Sequence, residues 1–158
     1  MSNQEIIEVF KNIADLLDIK GENPFKVRAY RRVVTSIEEL SVPVEQLVRE
    51  DRLNEIPGAG DAIRKKLIEL VNTGRLEYYE KLKAEFPAGV MELLAVPGVG
   101  PKTAEMLVKD GITSIDALEK ALEAGKEMPH IVGKTREKIT QGIKNLKSGG
   151  RVKLHAGD

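Results

Sequence analysis

Apolar residues return every three or four positions along most of the chain. Ile6, Phe10, Ile13 and Leu17 make the clearest stripe and predict a first helix from about Asn3 to Asp18 with one buried face. Gly21 stops it. Asn23-Pro24 reads as an N-cap followed by proline in the first helical position, and predicts a second helix to about Leu40. Pro43 opens a short third helix. A fourth begins after Gly58–Gly60 and ends at Asn72-Thr73-Gly74, and a fifth covers Arg75 to Glu85. The second half reads as a short helix over Val90–Val96, a glycine turn, and helices at about Pro101–Lys109, Ser114–Ala124 and Gly133–Lys147. No segment sustains period-two alternation, so the expected fold class is all-α, built as two small helical subdomains.

Phe86-Pro87-Ala88-Gly89 is the expected boundary. It follows a charged helix and precedes a fresh apolar run. The expected domains are 1–86 and 87–148, with 149–158 as a loose, glycine-containing tail.

The two halves share one internal repeat. Asn54–Leu67 (NEIPGAGDAIRKKL) aligns with Leu94–Leu107 (LAVPGVGPKTAEML), so that Pro57, Gly58 and Gly60 match Pro97, Gly98 and Gly100. Each copy is apolar-Pro-Gly-apolar-Gly followed by an amphipathic helix. Glycines let the backbone turn tightly and approach a ligand closely. The turn opens into a helix N-terminus, where unpaired N–H groups favour an anion such as phosphate. Ala59 and Val99, between the glycines, are expected to anchor the turn inside. Such contacts address the nucleic-acid backbone and carry no base information. A plain inter-helix turn is the alternative for one copy alone, and the second copy in the same context argues against it. No Gly-Lys-Ser/Thr completes a Walker loop, and no strand precedes the glycines as in a dinucleotide fold. A third, degenerate copy lies at Met128–Ile139, with His130 and Val132 where glycines are expected.

Composition narrows this picture. The 158 residues are 41% hydrophobic and 32% charged, as in a soluble globular protein. There is no cysteine, and the two histidines lack a metal-ligand spacing. A zinc site is therefore not expected, and the compartment expected is the cytoplasm, nucleoid-associated in a prokaryote. Net charge is zero, which would argue against a nucleic-acid binder. The charge is unevenly spread, however. Phe25–Ser36 carries Lys26, Arg28, Arg31 and Arg32 and no acid, between acid-rich flanks.

Three segments together, GENPFKVRAYRRVVTSIEEL, IPGAGDAIRKKLIELVNTGRLEYYEKL and VPGVGPKTAEMLVKDGITSIDAL, resemble the N-terminal part of family X DNA polymerases, the group containing DNA polymerase beta. Their order matches that family's lyase domain followed by its DNA-gripping fingers or thumb subdomain, over about Asn3 to Leu146. The resemblance implies DNA repair, in particular base excision repair, with gapped, nicked or 5′-abasic DNA as the partner and a polymerase or other repair protein as a further one. Family polymerase activity resides in a palm domain with an Asp-x-Asp pair, which occurs nowhere here. DNA synthesis by this chain is not expected, whether it is a free-standing relative or a fragment.

The resemblance also implies chemistry. The family's lyase domain removes a 5′-deoxyribose phosphate through a lysine Schiff base, and its nucleophile falls on Lys66. Lys26 and Tyr30 match the pocket for the 5′-phosphate and sugar. Phe25 stands where the family has a stacking histidine. Two other family lysines fall on Asn54 and Ala62, which leaves the pocket less basic. A potassium or sodium ion is implied at each hairpin, held by the carbonyls of Asn54, Ile56 and Ala59 and of Leu94, Val96 and Val99. The candidates for DNA contact are Phe25, Lys26, Tyr30, Arg31, Gly58, Gly60, Lys65, Gly98, Gly100, Lys102 and Thr103.

Helix geometry bears on Lys66 independently. At about 3.6 residues per turn it lies beside the stripe of Ile63, Leu67 and Leu70, whereas Lys65 points to solvent. Partial desolvation, with Lys65, Arg64 and Lys26 nearby, is expected to lower its pKa and favour the neutral amine, and Glu69 to oppose this. The plainer alternative is a lysine lying along a helix edge against phosphate. Met106 occupies the equivalent place in the second repeat, so the hairpin itself does not require a lysine. Two rivals to a lyase-competent repair module stay open: a non-catalytic architectural or targeting DNA binder, and a protein-protein adaptor.

Overall fold

Helix α1 (Asn3–Lys20) starts at Ser2, whose hydroxyl accepts from the Glu5 N–H while the Glu5 carboxylate accepts from the Ser2 N–H. This reciprocal cap satisfies donors that a helix start leaves orphaned. Gly21 closes the helix at φ 80°. The computed structural model describes the backbone of residues 1–156 and the side chains of residues 1–148.

The chain divides into two units, Met1–Glu85 and Phe86–Asp158. In the first, α1 packs along α2 (Pro24–Glu38) and against α5 (Glu77–Ala84), while α3 (Val44–Arg49) meets α4 (Asp61–Thr73). Ile6, Phe10, Ile13 and Leu17 are at most 1% exposed, as the stripe predicts. Val27, Tyr30, Val33 and Ile37 of α2 face them. Each such fully buried side chain contributes on the order of 1.5–3 kcal/mol. The Asn23 side chain accepts from the Phe25 N–H at 2.9 Å and Pro24 takes the first helical position, as expected. Asn3 ties the start of α3 to α1, donating to the Val42 carbonyl (3.1 Å) and accepting from the Val44 N–H (2.8 Å).

The second unit pairs α6 (Val90–Ala95) with α7 (Pro101–Lys109), and α8 (Ile115–Glu123) with α9 (Gly133–Ala156). Val90, Leu93, Ala104, Leu107, Leu118, Ile139 and Ile143 form its core. Gly89 packs so closely on the Thr113 backbone that a Cβ there would lie 1.8 Å from its carbonyl oxygen. This glycine of the boundary segment thus has a packing role, because only a residue without Cβ permits the approach.

Among the described residues the fold is all-α, with no strand. Two differences from expectation stand out. A single 3-10 turn, Leu53–Glu55, precedes the first hairpin. Helix α9 runs on to Ala156, through residues expected to form a loose tail; Gly149-Gly150 lowers helix propensity there without forbidding it. Residues 157–158 of that tail lie outside the described residues.

Candidate nucleic-acid interface

The two Pro-Gly-x-Gly turns have the same backbone. The Ala59 N–H bonds the Ile56 carbonyl at 3.2 Å, and the Val99 N–H bonds the Val96 carbonyl at 3.0 Å. Gly58 and Gly98 sit at φ 84° and 95°, which L side chains rarely adopt. Gly60 and Gly100 are extended and act as N-caps of α4 and α7. A Cβ at either would meet nothing within 4 Å, so these positions leave the helix N-termini bare and accessible. Ala59 and Val99 are 5% and 6% exposed and anchor the turns, as expected.

The third copy keeps part of this geometry. The Ile131 N–H bonds the Met128 carbonyl at 2.9 Å, and Ile131 is buried like the other two anchors. His130, at the place of Gly58 and Gly98, is not in the left-handed region. The turn is therefore retained, while the backbone conformation that glycine permits is lost.

Different helices support the two hairpins. Behind the first is α2: the buried Ser36 hydroxyl donates to the Pro57 carbonyl at 2.8 Å, and the Arg32 side chain lies against Gly58. Behind the second is α9: Gly142 faces the Pro97 ring, and Ile139 lies against Gly98. On α7, Lys102 is exposed and Thr103 half-buried, in the first turn beyond Gly100.

On α4, Lys65 is exposed and Lys66 half-buried, as their helical phases predict. The Lys66 Nζ lies 4.7 Å from the centre of the Tyr78 ring, and the Lys26 Nζ lies 5.7 Å from it. Desolvation, helped by the Lys26 charge, lowers the Lys66 pKa, and Glu69 opposes this. The Glu69 carboxylate also accepts from the Glu77 N–H at 2.8 Å and so fixes the start of α5. An open groove lined by Lys65, Lys66, Glu69, Tyr78 and Lys81 runs past the amine. Sequence reasoning misses Tyr78. Its separation from Lys66 and Lys26 along the chain gives no local signal, and only the return of α5 brings it there.

Two candidates make contacts within their own unit. Tyr30 is 4% exposed, with its ring 5.7 Å from Phe10 and stacked on Tyr78 at 6.4 Å. It belongs to the core, where burial pushes its phenol pKa up, and it is not offered to a base. Arg31 turns back to α1, donating to Asp15 at 3.0 Å and Asp18 at 3.5 Å. Its charge is paired with these acids while its side chain stays 41% exposed, and burial still raises the Asp15 pKa. Phe25, by contrast, is 74% exposed, with the Arg28 guanidinium 5.2 Å from its ring centre. Lys26 beside it is exposed.

The carbonyls expected to hold a monovalent ion also differ between hairpins. In the first, the Ala59 carbonyl accepts from the Arg64 Nε at 2.8 Å, so a fixed positive group already occupies one of the expected ligands. These carbonyls do not fit an ion as they stand. In the second, Ala104 takes the place of Arg64 and is fully buried, and no hydrogen bond to the Val99 carbonyl is found among the described residues. That set fits.

Two hairpin-bearing helical units define a tandem helix-hairpin-helix protein. A helix-hairpin-helix domain family matches residues 1–76, and a SAM-like helix-hairpin-helix tandem family matches residues 90–144. The chain is similar to family X DNA polymerases. It is 30% identical over 147 residues to the DNA polymerase/3'-5' exonuclease PolX of Bacillus subtilis (strain 168), covering 90% of this chain and 25% of that protein. It is 29% identical over 118 residues to DNA polymerase lambda of Arabidopsis thaliana, covering 74% of this chain and 22% of the relative. Against DNA polymerase lambda of Rattus norvegicus it is 24% identical over 115 residues, covering 72% and 19%. The chain thus spans about a quarter of the length of the curated relatives it matches.

Proposed function

We propose that the chain is a sequence-nonspecific DNA-binding module of DNA repair that grips the backbone of gapped or nicked DNA and cleaves a 5′-deoxyribose phosphate through Lys66. The two bare helix N-termini after Gly60 and Gly100 support the grip, since they present N–H donors to phosphate oxygens. Exposed Phe25 and Lys26 offer a stacking face and a phosphate contact on one turn of α2. At the second hairpin the carbonyls of Leu94, Val96 and Val99 would hold a potassium or sodium ion, which would add positive charge beside a phosphate.

One observation carries the lyase reading: the Lys66 amine is half-buried over the Tyr78 ring, with its pKa lowered by desolvation and by Lys26. A lower pKa leaves more neutral amine at physiological pH. That amine attacks the C1′ aldehyde, forms a C–N bond and expels water. Loss of a C2′ proton to solvent then breaks the C3′–O bond and frees the DNA 5′-phosphate. Water hydrolyses the remaining imine, which releases the unsaturated sugar phosphate and restores the Lys66 amine. None of these steps needs an oxidant or a metal.

Borohydride trapping on DNA bearing a 5′-deoxyribose phosphate tests this reading. A covalent adduct is expected, and Lys66→Ala is expected to abolish it while DNA binding persists. An adduct that survives Lys66→Ala removes Lys66 from the role. Salt-sensitive binding with no adduct in the unaltered protein leaves a non-catalytic DNA binder, a reading favoured by the burial of Tyr30.

A further inference from the structure

Arg64 occupies a place that nothing in the helix-hairpin-helix pattern requires. It lies one turn into α4, and its side chain reaches back to the Ala59 carbonyl, with Nε–O at 2.8 Å. Its other edge is held only loosely, by Asp61 at 3.5 Å, an acid whose own side chain is 94% exposed. The Arg64 side chain is 38% exposed, so solvent reaches it beside the hairpin. A second guanidinium, that of Arg32, comes from α2, and its side chain lies along Gly58. The first hairpin therefore carries arginine on both sides.

The second hairpin is a control within the same chain. Its backbone bond and left-handed glycine match the first, yet Ala104 stands at the matching helical position and the side chains against Gly98 are those of Ile139 and Lys138. No guanidinium touches its carbonyls among the described residues.

We propose that Arg64 is the built-in cation of the first hairpin: it excludes a monovalent ion from the carbonyls of Asn54, Ile56 and Ala59, and it binds a DNA backbone phosphate in that ion's stead. A guanidinium stays charged at any physiological pH and offers five N–H donors in a fixed fork. One donor holds the Ala59 carbonyl, and those on the solvent side remain to pair with phosphate oxygens, a partner to which the fork is well matched. A potassium ion on the same carbonyl would sit beside this fixed positive charge and be repelled by it. The first hairpin then grips DNA without potassium, whereas the second has no such substitute.

The phosphate half of this proposal rests on the DNA-binding reading, and the ion half does not. The full 15N-labelled chain is titrated with potassium chloride against tetramethylammonium chloride at constant ionic strength, and the amides of Ala59 and Gly60 are followed. In the unaltered protein they are expected to stay put. In Arg64→Ala, and in Arg64→Gln, which keeps side-chain bulk without charge, they are expected to move saturably. Saturable shifts in the unaltered protein overturn the proposal, and so do unmoved amides in both variants. Binding to a 5′-phosphorylated gapped duplex in tetramethylammonium salt then tests the phosphate contact. Both variants are expected to lower the slope of log affinity against log salt by about 1. An unchanged slope removes Arg64 from the phosphate. If the unaltered chain binds no DNA, the repair reading fails, while the amide titration still decides the ion half.

Discussion

The two hairpins share a turn and differ in what leans against it. Behind the first, α2 supplies a hydroxyl on the Pro57 carbonyl and an arginine along Gly58, and α4 adds a second arginine on Ala59. Behind the second, α9 supplies a bare glycine under the Pro97 ring and an isoleucine against Gly98. One turn is thus held by directional polar contacts, the other by shape. The difference extends to their surroundings. The first shares its unit with an amine of lowered pKa in an open groove, and the second has Met106, 43% exposed, at the matching helical place. A shared turn therefore does not fix a shared role. In our proposal the first combines grip with reactive chemistry, and the second serves as a clamp.

The largest expected effect comes from filling the space under the second turn. Gly142→Leu would drive a side chain into the rigid Pro97 ring, where even a Cβ would lie 2.8 Å from Cδ. Overpacking of this kind costs about 1–3 kcal/mol. Thermal unfolding should show the loss, and amide shifts should change around Pro97–Gly100 while those of the first hairpin do not. Equal disturbance of both turns would contradict the division of supports. A smaller loss, about 1 kcal/mol, is expected from Ser36→Ala, which leaves the Pro57 carbonyl without its donor. Here chemical denaturation gives the cost, and the shift changes should centre on the first turn. An unchanged midpoint would mean that Arg32 and the anchor Ala59 suffice.

The smallest effect is a displacement along the pH axis. Adduct formation should rise with pH through the Lys66 pKa, because the neutral amine is the reactive form. Lys26→Ala removes a like charge, so the rise should move to higher pH. Glu69→Gln removes the acid that favours the ammonium, so it should move to lower pH. Rates of borohydride trapping measured across pH give both directions. If neither variant moves the profile, desolvation alone governs the amine.

Much of this architecture is legible in the sequence. The α1 stripe, the Asn23-Pro24 start and the glycine stops are local signals, and each forms as read. The paired turns are legible because proline, two glycines and a buried anchor recur in one order. Functional placement is less so. Tyr30 and Arg31 have the composition of a DNA-contacting helix, but helical phase turns one to Phe10 and the other to Asp15. Arg64 looks like an ordinary polar residue of α4, since a side chain reaching back five positions to a carbonyl leaves no periodic trace. Tyr78 joins Lys26 and Lys66 only through the packing of α5 on α1.

Tyr78 also gives the molecule an optical property. The chain has three tyrosines and no tryptophan, so no indole masks phenol emission. Tyr30 and Tyr78 lie nearly parallel, 7° apart, with two ammonium groups over the outer ring. A ligand that draws Lys26 or Lys66 off that ring alters the field across the pair. The groove beside the reactive amine thus contains its own spectroscopic probe, and occupancy can be followed without a label.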